Sequence, residues 1–196
     1  MSQRTVDDAT ASILSAAREI LATEGQAALT VRRIAAAAGG STMNVYSRFG
    51  GKDGVIDALL IEGFEQLSET MRTVRATKNP VADLERCADS YRAFALSHRS
   101  HYELMFDRVV PGYVMSANAK ATAAGTLMML ADRIQVAMDA GLIRIGDTLA
   151  TATVFWSACH GPVSLELKDV GPPTTNWAEV HRQLFAATVA GFSPTR

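Results

Sequence analysis

The 196-residue sequence predicts an all-α protein with about nine helices. Apolar side chains recur every three to four residues along most of the chain, which is the period of an α-helix, and glycines or prolines separate these runs. The sequence has no Asn-Gly hairpin turn and no alternation of polar and apolar residues, the two patterns that predict strands. Because 48% of the residues are apolar, the chain can bury a core.

Composition excludes several classes of protein. No apolar run approaches the roughly 18 residues that a membrane span needs. The first residues, MSQRTVDDATAS, lack the charged-then-apolar design of a signal peptide, so we expect a cytoplasmic protein. Cys87 and Cys159 form no CxxC pair, which predicts two buried, reduced thiols rather than a disulfide scaffold or a zinc finger. The net charge is −1, so no overall positive field draws the chain to nucleic acid.

The N-terminal part of the chain predicts three short helices. Asp7 or Asp8 is placed to cap the first helix, and Gly25 ends it. Its apolar residues fall on one face of a helix, which requires a packing partner: Ile13, Leu14, Ala17, Ile20 and Leu21. The next two helices supply that partner.

The second and third helices are joined by a glycine turn. Thr30 is placed to cap the second helix, which runs through about Ala38, and Ser41 or Thr42 caps the third. Gly39 lies where the turn needs a residue that tolerates positive φ. The inward side chains are Ile34, Ala35, Val45 and Phe49. The expected domain resembles the three-helix DNA-binding units.

The stretch Leu29–Lys52 is cationic although the whole chain is nearly neutral. No acidic residue lies between Glu24 and Asp53, and the stretch contains four basic residues: Arg32, Arg33, Arg48 and Lys52. A compact, locally cationic helix-turn-helix is suited to entering the major groove of DNA.

The remainder of the chain predicts a helical bundle. A long amphipathic helix starts at Lys52, and Pro111-Gly112 breaks a short helix in the stretch after residue 98. Further helices are predicted from Asn79-Pro80 to about His98, from about Asn118 to Ala140 before Gly141, and from Asp147 or Thr148 with a kink at Gly161-Pro162. Thr174, Thr175 or Asn176 is placed to cap the last helix.

Two segments resemble a known family. ILSAAREILATEGQAALTVRRIAAAAGGSTMNVYSRFGGKDGVIDALL resembles the N-terminal domain of the Tet repressor (TetR) family in its spacing, its turn glycine and its Tyr-x-x-Phe-x-x-Lys ending. FWSACHGPVSLELKDVG resembles the Trp-His-Gly (WHG) class of TetR C-terminal domains, with Cys159-His160-Gly161 as the triplet and Pro162 as a departure. In the first segment, Gly40 stands where the family usually carries an apolar residue, which removes a small core contact and loosens the turn. Asn44 is also an unusual residue at its position.

The resemblance and the residue chemistry together predict the DNA contacts. Thr30 can donate to a phosphate, and the family position of Arg32 favours a base contact. Thr42, Met43 and Asn44 occupy the turn that enters the groove, where Asn44 can pair with adenine and Met43 can pack on a thymine methyl. The remaining predicted contacts are phosphate contacts: Tyr46, Arg48 and Lys52.

The resemblance also implies a domain plan. It predicts a DNA-binding domain over residues 1–52 and a ligand-binding and dimerisation domain over residues 53–196. A homodimer fits a palindromic operator because one helix-turn-helix makes few contacts. The last two helices are the expected dimer surface, with a stripe at Trp177, Val180, Leu184, Ala187 and Gly191 and with small residues at Ala186 and Ala190.

A small-molecule effector is implied by the family alone. The candidate ligand residues are soft or aromatic, although such side chains are also common in ordinary cores: Met105, Phe106, Tyr113, Met128, Phe155, Trp156 and His160. We find no internal cluster of basic residues, so we expect a mostly apolar ligand with at most one polar group. The expected function is a ligand-responsive transcriptional regulator, typically a repressor, that requires no cofactor.

Two other functions are compatible with parts of the sequence. An enzyme would need Cys159 and His160 to act together, but adjacent helical residues point about 100° apart, and the sequence has no GxSxG motif or P-loop. His98, His101 and Glu103 are more simply surface residues than a metal site. The second alternative is a helical protein-interaction module that has lost DNA binding.

Overall fold

The computed structural model describes residues 3–107 and 112–194, and the side chains from residue 8 onward. These residues form helices without strands, which confirms the predicted fold class. They fall into two compact units. The first unit is drawn from Met1–Phe64 and Ser100–Thr122, and the second from Glu65–Arg99 and Ala123–Arg196. The functional boundary at residue 52 stays a prediction, because compactness does not report function.

The first unit begins with helices α1 (Gln3–Glu24), α2 (Val31–Ala37) and α3 (Thr42–Phe49). The predicted start of α1 is wrong, because the helix already begins at Gln3 and Asp7 and Asp8 lie inside it. The segment before Asp8 contains no glycine or proline, so the helix extends toward the N-terminus. The predicted inward residues are buried except for Leu14 and Phe49, which are half-buried. The buried ones are Ile13, Ala17, Ile20, Leu21, Ile34, Ala35 and Val45.

The turn between α2 and α3 is a Schellman cap. Gly39 has φ 64°, and its N–H donates to the carbonyl of Ala36 at 3.2 Å, while the N–H of Gly40 donates to the carbonyl of Ala35 at 2.9 Å. The positive φ predicted at Gly39 is therefore confirmed. Although Gly40 was expected to loosen the turn, these two hydrogen bonds close it.

Helix α4 (Lys52–Arg72) is held to both ends of the first unit. Arg18 of α1 donates to Glu62 at 2.6 Å. Asp57 accepts a short hydrogen bond from the hydroxyl of Tyr113 and a second from the backbone N–H of Ser116 at 3.1 Å. Residues far apart in sequence thus support the N-terminal half of α4.

A short irregular segment also packs on α4. Helix α6 (Arg99–Tyr102) continues into a five-residue π-helix, Glu103–Asp107. A Cβ added at Gly63 would lie 2.7 Å from the sulfur of Met105, so Gly63 is what permits this close contact. The predicted break at Pro111-Gly112 is only partly described: Pro111 lies outside the described residues, and Gly112 has φ 77°.

The second unit contains most of the remaining helices. Caps predicted for three of them are confirmed, because Asn79, Asp147 and Asn176 each accept a hydrogen bond from a backbone N–H of the first turn. The helices are α5 (Pro80–Ser97), the C-terminal part of α7 (Ala117–Asp139), α8 (Thr148–Leu167) and α9 (Trp177–Gly191).

Polar contacts join α5 to α8 and α9. Arg92 donates to both carboxylate oxygens of Glu166, from Nε at 2.9 Å and from Nη2 at 2.5 Å. The fully buried His181 donates from Nε2 to the carbonyl of Ala88 at 3.1 Å. Pro162 lies inside α8, which continues past it, and the predicted kink there stays a prediction.

Two further sequence predictions concern cysteines and membranes. Cys87 and Cys159 are both buried and free, as predicted. Burial raises the pKa of the Cys159 thiol to about 12, so the thiolate is disfavoured. Within the described ranges, no helix has the length and apolar character that a membrane span requires.

Candidate nucleic-acid interface

The two helix starts that face the candidate interface are capped by side chains. Thr30 Oγ1 accepts from the backbone N–H of Arg33 at 3.2 Å, which confirms Thr30 as the cap of α2. Ser41 Oγ accepts from the backbone N–H of Asn44 at 3.3 Å, so Ser41 rather than Thr42 caps α3. Since each hydroxyl group is used as an acceptor, its proton is available to a phosphate oxygen.

The predicted groove-entering residues form the first turn of α3. Thr42, Met43 and Asn44 follow the cap directly, and the side chain of Met43 is 72% exposed. Because this large apolar side chain is not used in packing the core, it is accessible for contact with a thymine methyl group. Asn44 is half-buried.

The predicted phosphate contacts lie at the other end of α3. Tyr46 is 54% exposed, so it is not a core residue. Its ring lies against the backbone of Gly51, where an added Cβ would be 3.3 Å from Tyr46 Cε1. Arg48 and Lys52 are half-buried, and Nη1 of Arg48 approaches Ser47 Oγ at 3.4 Å and the Asn44 carbonyl at 3.5 Å. Both contacts are long, so the guanidinium retains donors for another acceptor.

The two arginines of α2 have different surroundings. Arg33 donates to Glu24 from Nη2 at 2.6 Å and from Nε at 3.2 Å, and this hydrogen-bonded carboxylate raises the pKa of Arg33. Glu24 thus offsets the charge of Arg33. Arg32 is exposed and belongs, like Thr30 and α3, to the first unit.

The predicted ligand residues are divided between the two units. Met105, Phe106 and Tyr113 belong to the first unit. Met105 contacts Gly63, and the ring of Phe106 packs edge-on against Phe64 with centroids 5.8 Å apart. Burial and the hydrogen bond to Asp57 raise the pKa of Tyr113, so its hydroxyl stays protonated.

In the second unit, three aromatic groups share a hydrogen-bond chain. Trp156 Nε1 donates to the hydroxyl oxygen of Tyr91 at 3.2 Å, and that hydroxyl lies 3.0 Å from Nδ1 of His160. Tyr91 is buried, and its position in the sequence does not reveal this role. Phe155 is fully buried against Phe185, in an ordinary core position. The side chain of Met128 is 48% exposed.

The same geometry argues against catalysis at Cys159 and His160. The thiol is buried with a raised pKa, and the imidazole Nδ1 faces Tyr91. The prediction that His101 is a surface residue is wrong, because only 12% of its side chain is exposed. Its Nε2 lies 4.0 Å from Oε1 of Glu62. Among the residues that the structure describes, no group of three or more potential ligands could hold a metal ion.

Helices α8 and α9 pack together. Each helix carries a row of exposed apolar and small residues at helical spacing, and these two rows are called the α8–α9 face. Its apolar residues are 37% to 45% exposed: Val154, Leu165, Val180 and Leu184. Its exposed small residues are Ser157, Gly161, Ala187 and Gly191. Helix α9 also carries an exposed ion pair between Arg182 and Glu179. Trp177, which was predicted in the stripe, packs instead on Gly171, where an added Cβ would lie 3.0 Å from Trp177 Cζ2.

A capped, exposed helix-turn-helix followed by a helical bundle defines a class of DNA-binding regulators. Sequence profiles identify the family. The profile described as "Bacterial regulatory proteins, tetR family" matches residues 13–59, and the profile "Tetracyclin repressor-like, C-terminal domain" matches residues 84–192. The chain belongs to the TetR family, whose members are DNA-binding regulators and not enzymes. Membership of the WHG class stays a prediction.

Solved structures are similar over nearly the whole chain. A protein of unknown function from Rhodococcus sp. RHA1 has a TM-score of 0.83 and 23% identity, covering 95% of this chain and 96% of that one. The protein SCO4313, whose name describes it as regulatory, has a TM-score of 0.82 and 28% identity, covering 97% and 99%. The TetR family transcriptional regulator PfmR from Thermus thermophilus has a TM-score of 0.67 and 16% identity, covering 94% and 99%. None of the curated protein sequences matches the chain.

Proposed function

We propose that this chain is a ligand-responsive transcriptional repressor that binds a palindromic operator as a homodimer in the cytoplasm. The observation that carries the proposal is the first turn of α3, which presents an exposed Met43 and the adjacent Asn44 within the cationic stretch Leu29–Lys52. An amide and an apolar side chain at a helix start are suited to adenine and to the thymine methyl group.

The phosphate contacts would fix the position of α3 in the groove. Thr30 and Tyr46 offer hydroxyl groups at an exposed surface, and Arg48 and Lys52 offer positive charge. Arg32 is exposed and long enough to reach a base edge or a phosphate. Phosphate contacts set register, whereas base contacts set sequence preference.

The exposed apolar and small residues of the α8–α9 face support the homodimer. α8 contains no Asp, Glu, Lys or Arg before Glu166, and a helix without a polar face belongs in an interior. A Cβ added at Gly161 or Gly191 would meet no atom within 4 Å in the described chain, so neither glycine is explained by contacts within one protomer. A second copy packed on this face would explain both, because glycine lets helix backbones approach closely.

The effector would be a mostly apolar molecule. The candidate contacts lie in both units: Met105, Phe106 and Tyr113 in the first, and Met128, Phe155, Trp156 and His160 in the second. Support for one polar group comes from the half-buried Trp156 and His160, which are linked through the Tyr91 hydroxyl. Such a ligand would release the operator.

A pooled-duplex selection tests the DNA-binding proposal. The full chain is incubated with random duplexes, bound duplexes are recovered by gel shift, and several rounds are sequenced. The expected product is a palindrome with half-sites one or more helical turns apart. Recovery of no preferred sequence, even at low salt where phosphate contacts are strongest, would contradict the proposal.

A further inference from the structure

The conformation of Gly40 does not require glycine. Its φ lies outside the left-handed region, in contrast to Gly39 with φ 64°. Its N–H makes the second hydrogen bond of the turn, to the carbonyl of Ala35 at 2.9 Å, and any residue except proline could make this bond. Another reason must explain why this position carries no side chain.

Space beside Gly40 is occupied by one side chain. Apart from chain neighbours, the described residues place one heavy atom within 4 Å of a Cβ added there, namely Nδ2 of Asn44 at 3.4 Å. A methyl group at that distance makes an ordinary contact. A side chain that continues beyond Cβ would compete with the amide for the same space.

The position of the Asn44 amide follows from helix geometry. Asn44 is the third residue of α3, and its N–H is held by the carbonyl of Ser41 at 3.0 Å and by Ser41 Oγ at 3.3 Å. The Cα–Cβ bonds of a helix tilt toward its N-terminus, so this side chain extends back over the turn that contains Gly40.

We infer that Gly40 is a specificity-determining residue that positions the Asn44 amide for base reading. This inference rests on the proposed function, because it assumes that Asn44 contacts adenine. A bidentate amide–adenine contact needs both the oxygen and the nitrogen of the side chain in one plane with the base. Residue 40 therefore controls which Asn44 rotamers can reach that arrangement.

A double-mutant cycle on the selected operator tests this coupling. Full-length wild type, Gly40→Ala, Gly40→Val, Asn44→Ala and the Gly40→Val/Asn44→Ala double variant are compared by gel shift. We expect Gly40→Ala to bind within about twofold of wild type, and Gly40→Val to bind about tenfold more weakly, which corresponds to the loss of one base contact. In the Asn44→Ala background, the valine should change affinity by less than about twofold.

A second readout separates positioning from folding. Pooled selection with Gly40→Val should relax the base preference at the same operator position as Asn44→Ala, and non-specific binding at low salt should stay at the wild-type level. If Gly40→Val does not fold by circular dichroism, Gly40→Leu, which is not branched at Cβ, replaces it.

The possible failures are distinguishable. A valine that weakens binding equally in both backgrounds acts through the turn, which overturns the inference and leaves the regulator intact. An unchanged base preference in Gly40→Val also overturns it. If Asn44→Ala itself keeps wild-type affinity and preference, then the base-reading role of Asn44 fails, and the inference fails with it. If no operator is selected at all, the proposed function fails first.

Discussion

Gly54 lies directly against the main chain of Phe49, so closely that an added Cβ would be 1.7 Å from the Phe49 carbonyl oxygen. Gly54 belongs to the first turn of α4, and Phe49 is the last residue of α3. The end of the candidate recognition helix is therefore packed on the start of α4 without an intervening side chain.

We predict that Gly54→Ala is destabilising, because the backbone of α3 or α4 must move to admit a methyl group. Overpacking of this kind costs about 1–3 kcal/mol in the free energy of unfolding. Urea denaturation measures the change. Gly125→Ala in α7 is the control, because its added Cβ meets nothing within 4 Å. Alanine favours the helix over glycine, so this variant should gain up to about 1 kcal/mol in the free energy of unfolding. Equal stability of Gly54→Ala and wild type would contradict the contact.

Lys52→Ala should weaken specific and non-specific DNA binding together. A phosphate contact releases a counterion, so its loss should flatten the slope of log affinity against log salt by about one. Asn44→Ala should lower specific affinity and leave non-specific binding nearly unchanged. Gel-shift titrations at several salt concentrations measure both quantities, and an unchanged slope in Lys52→Ala would remove its phosphate role.

Leu184→Arg should convert the proposed dimer into monomers. A charge placed among apolar residues that the dimer would desolvate costs several kcal/mol, enough to weaken association at least about a hundredfold. Analytical ultracentrifugation measures the change. Leu96→Arg is the matched control. Both leucines are 41% exposed, but Leu96 lies on α5, outside the α8–α9 face. If Leu184→Arg and Leu96→Arg both sediment with the mass of the wild-type assembly, the α8–α9 face is not the dimer interface.

Asp169→Gly should stabilise the protein. Asp169 follows α8 with φ 52°, and it occupies the left-handed position of a Schellman cap: its N–H donates to Glu166 at 3.2 Å, and that of Val170 donates to Leu165 at 3.0 Å. Glycine adopts this conformation without steric cost, so we expect a gain of about 0.5–1 kcal/mol in thermal or urea unfolding. A loss of stability would show that the Asp169 side chain contributes more than its backbone strain costs.

Stability should fall as the medium becomes acidic, in part because of His181. Burial lowers the pKa of His181, against the opposing effect of its hydrogen bond to Ala88, and the charges nearby are Asp89, Arg92 and Glu166. The native state therefore disfavours the imidazolium, so this contribution is complete above the unfolded pKa of about 6.5 and is lost as pH falls from there toward the lowered native pKa.

The matched variant is His181→Gln, whose amide can still donate to the Ala88 carbonyl. Its free energy of unfolding should depend less on pH below about 6.5 than that of wild type, by about 1.4 kcal/mol for each unit of pKa difference. Urea titrations from pH 7 to pH 5 make the comparison. Parallel pH profiles would assign the acid sensitivity to other groups.

Local signals in the sequence predicted the caps and turns well. The caps Thr30 and Asn79 and the turn residue Gly39 could be identified because the hydrogen bonds and the turn that they form involve residues within five positions of them. Contacts between distant segments were not predictable in this way. The hydrogen bonds from Tyr113 and Ser116 to Asp57, and the one between Tyr91 and His160, join residues that no local period relates.

Two further features were not predicted from the sequence. Gly40 was identified as a departure from the family, but its relation to Asn44 depends on the direction of a helix side chain relative to the turn. The π-helix at Glu103–Asp107 was not predicted, and its residue Met105 contacts Gly63, about forty positions away in the sequence.

The apolar residues of the α8–α9 face separate the salt dependence of dimerisation from that of DNA binding. If two protomers associate through these apolar and small residues, added salt should leave their association nearly unchanged, since such contacts carry no charge to screen. Binding to DNA, in contrast, weakens steeply with salt. A rise in ionic strength would then dissociate the protein from its operator as an intact dimer, which could bind again without first reassociating.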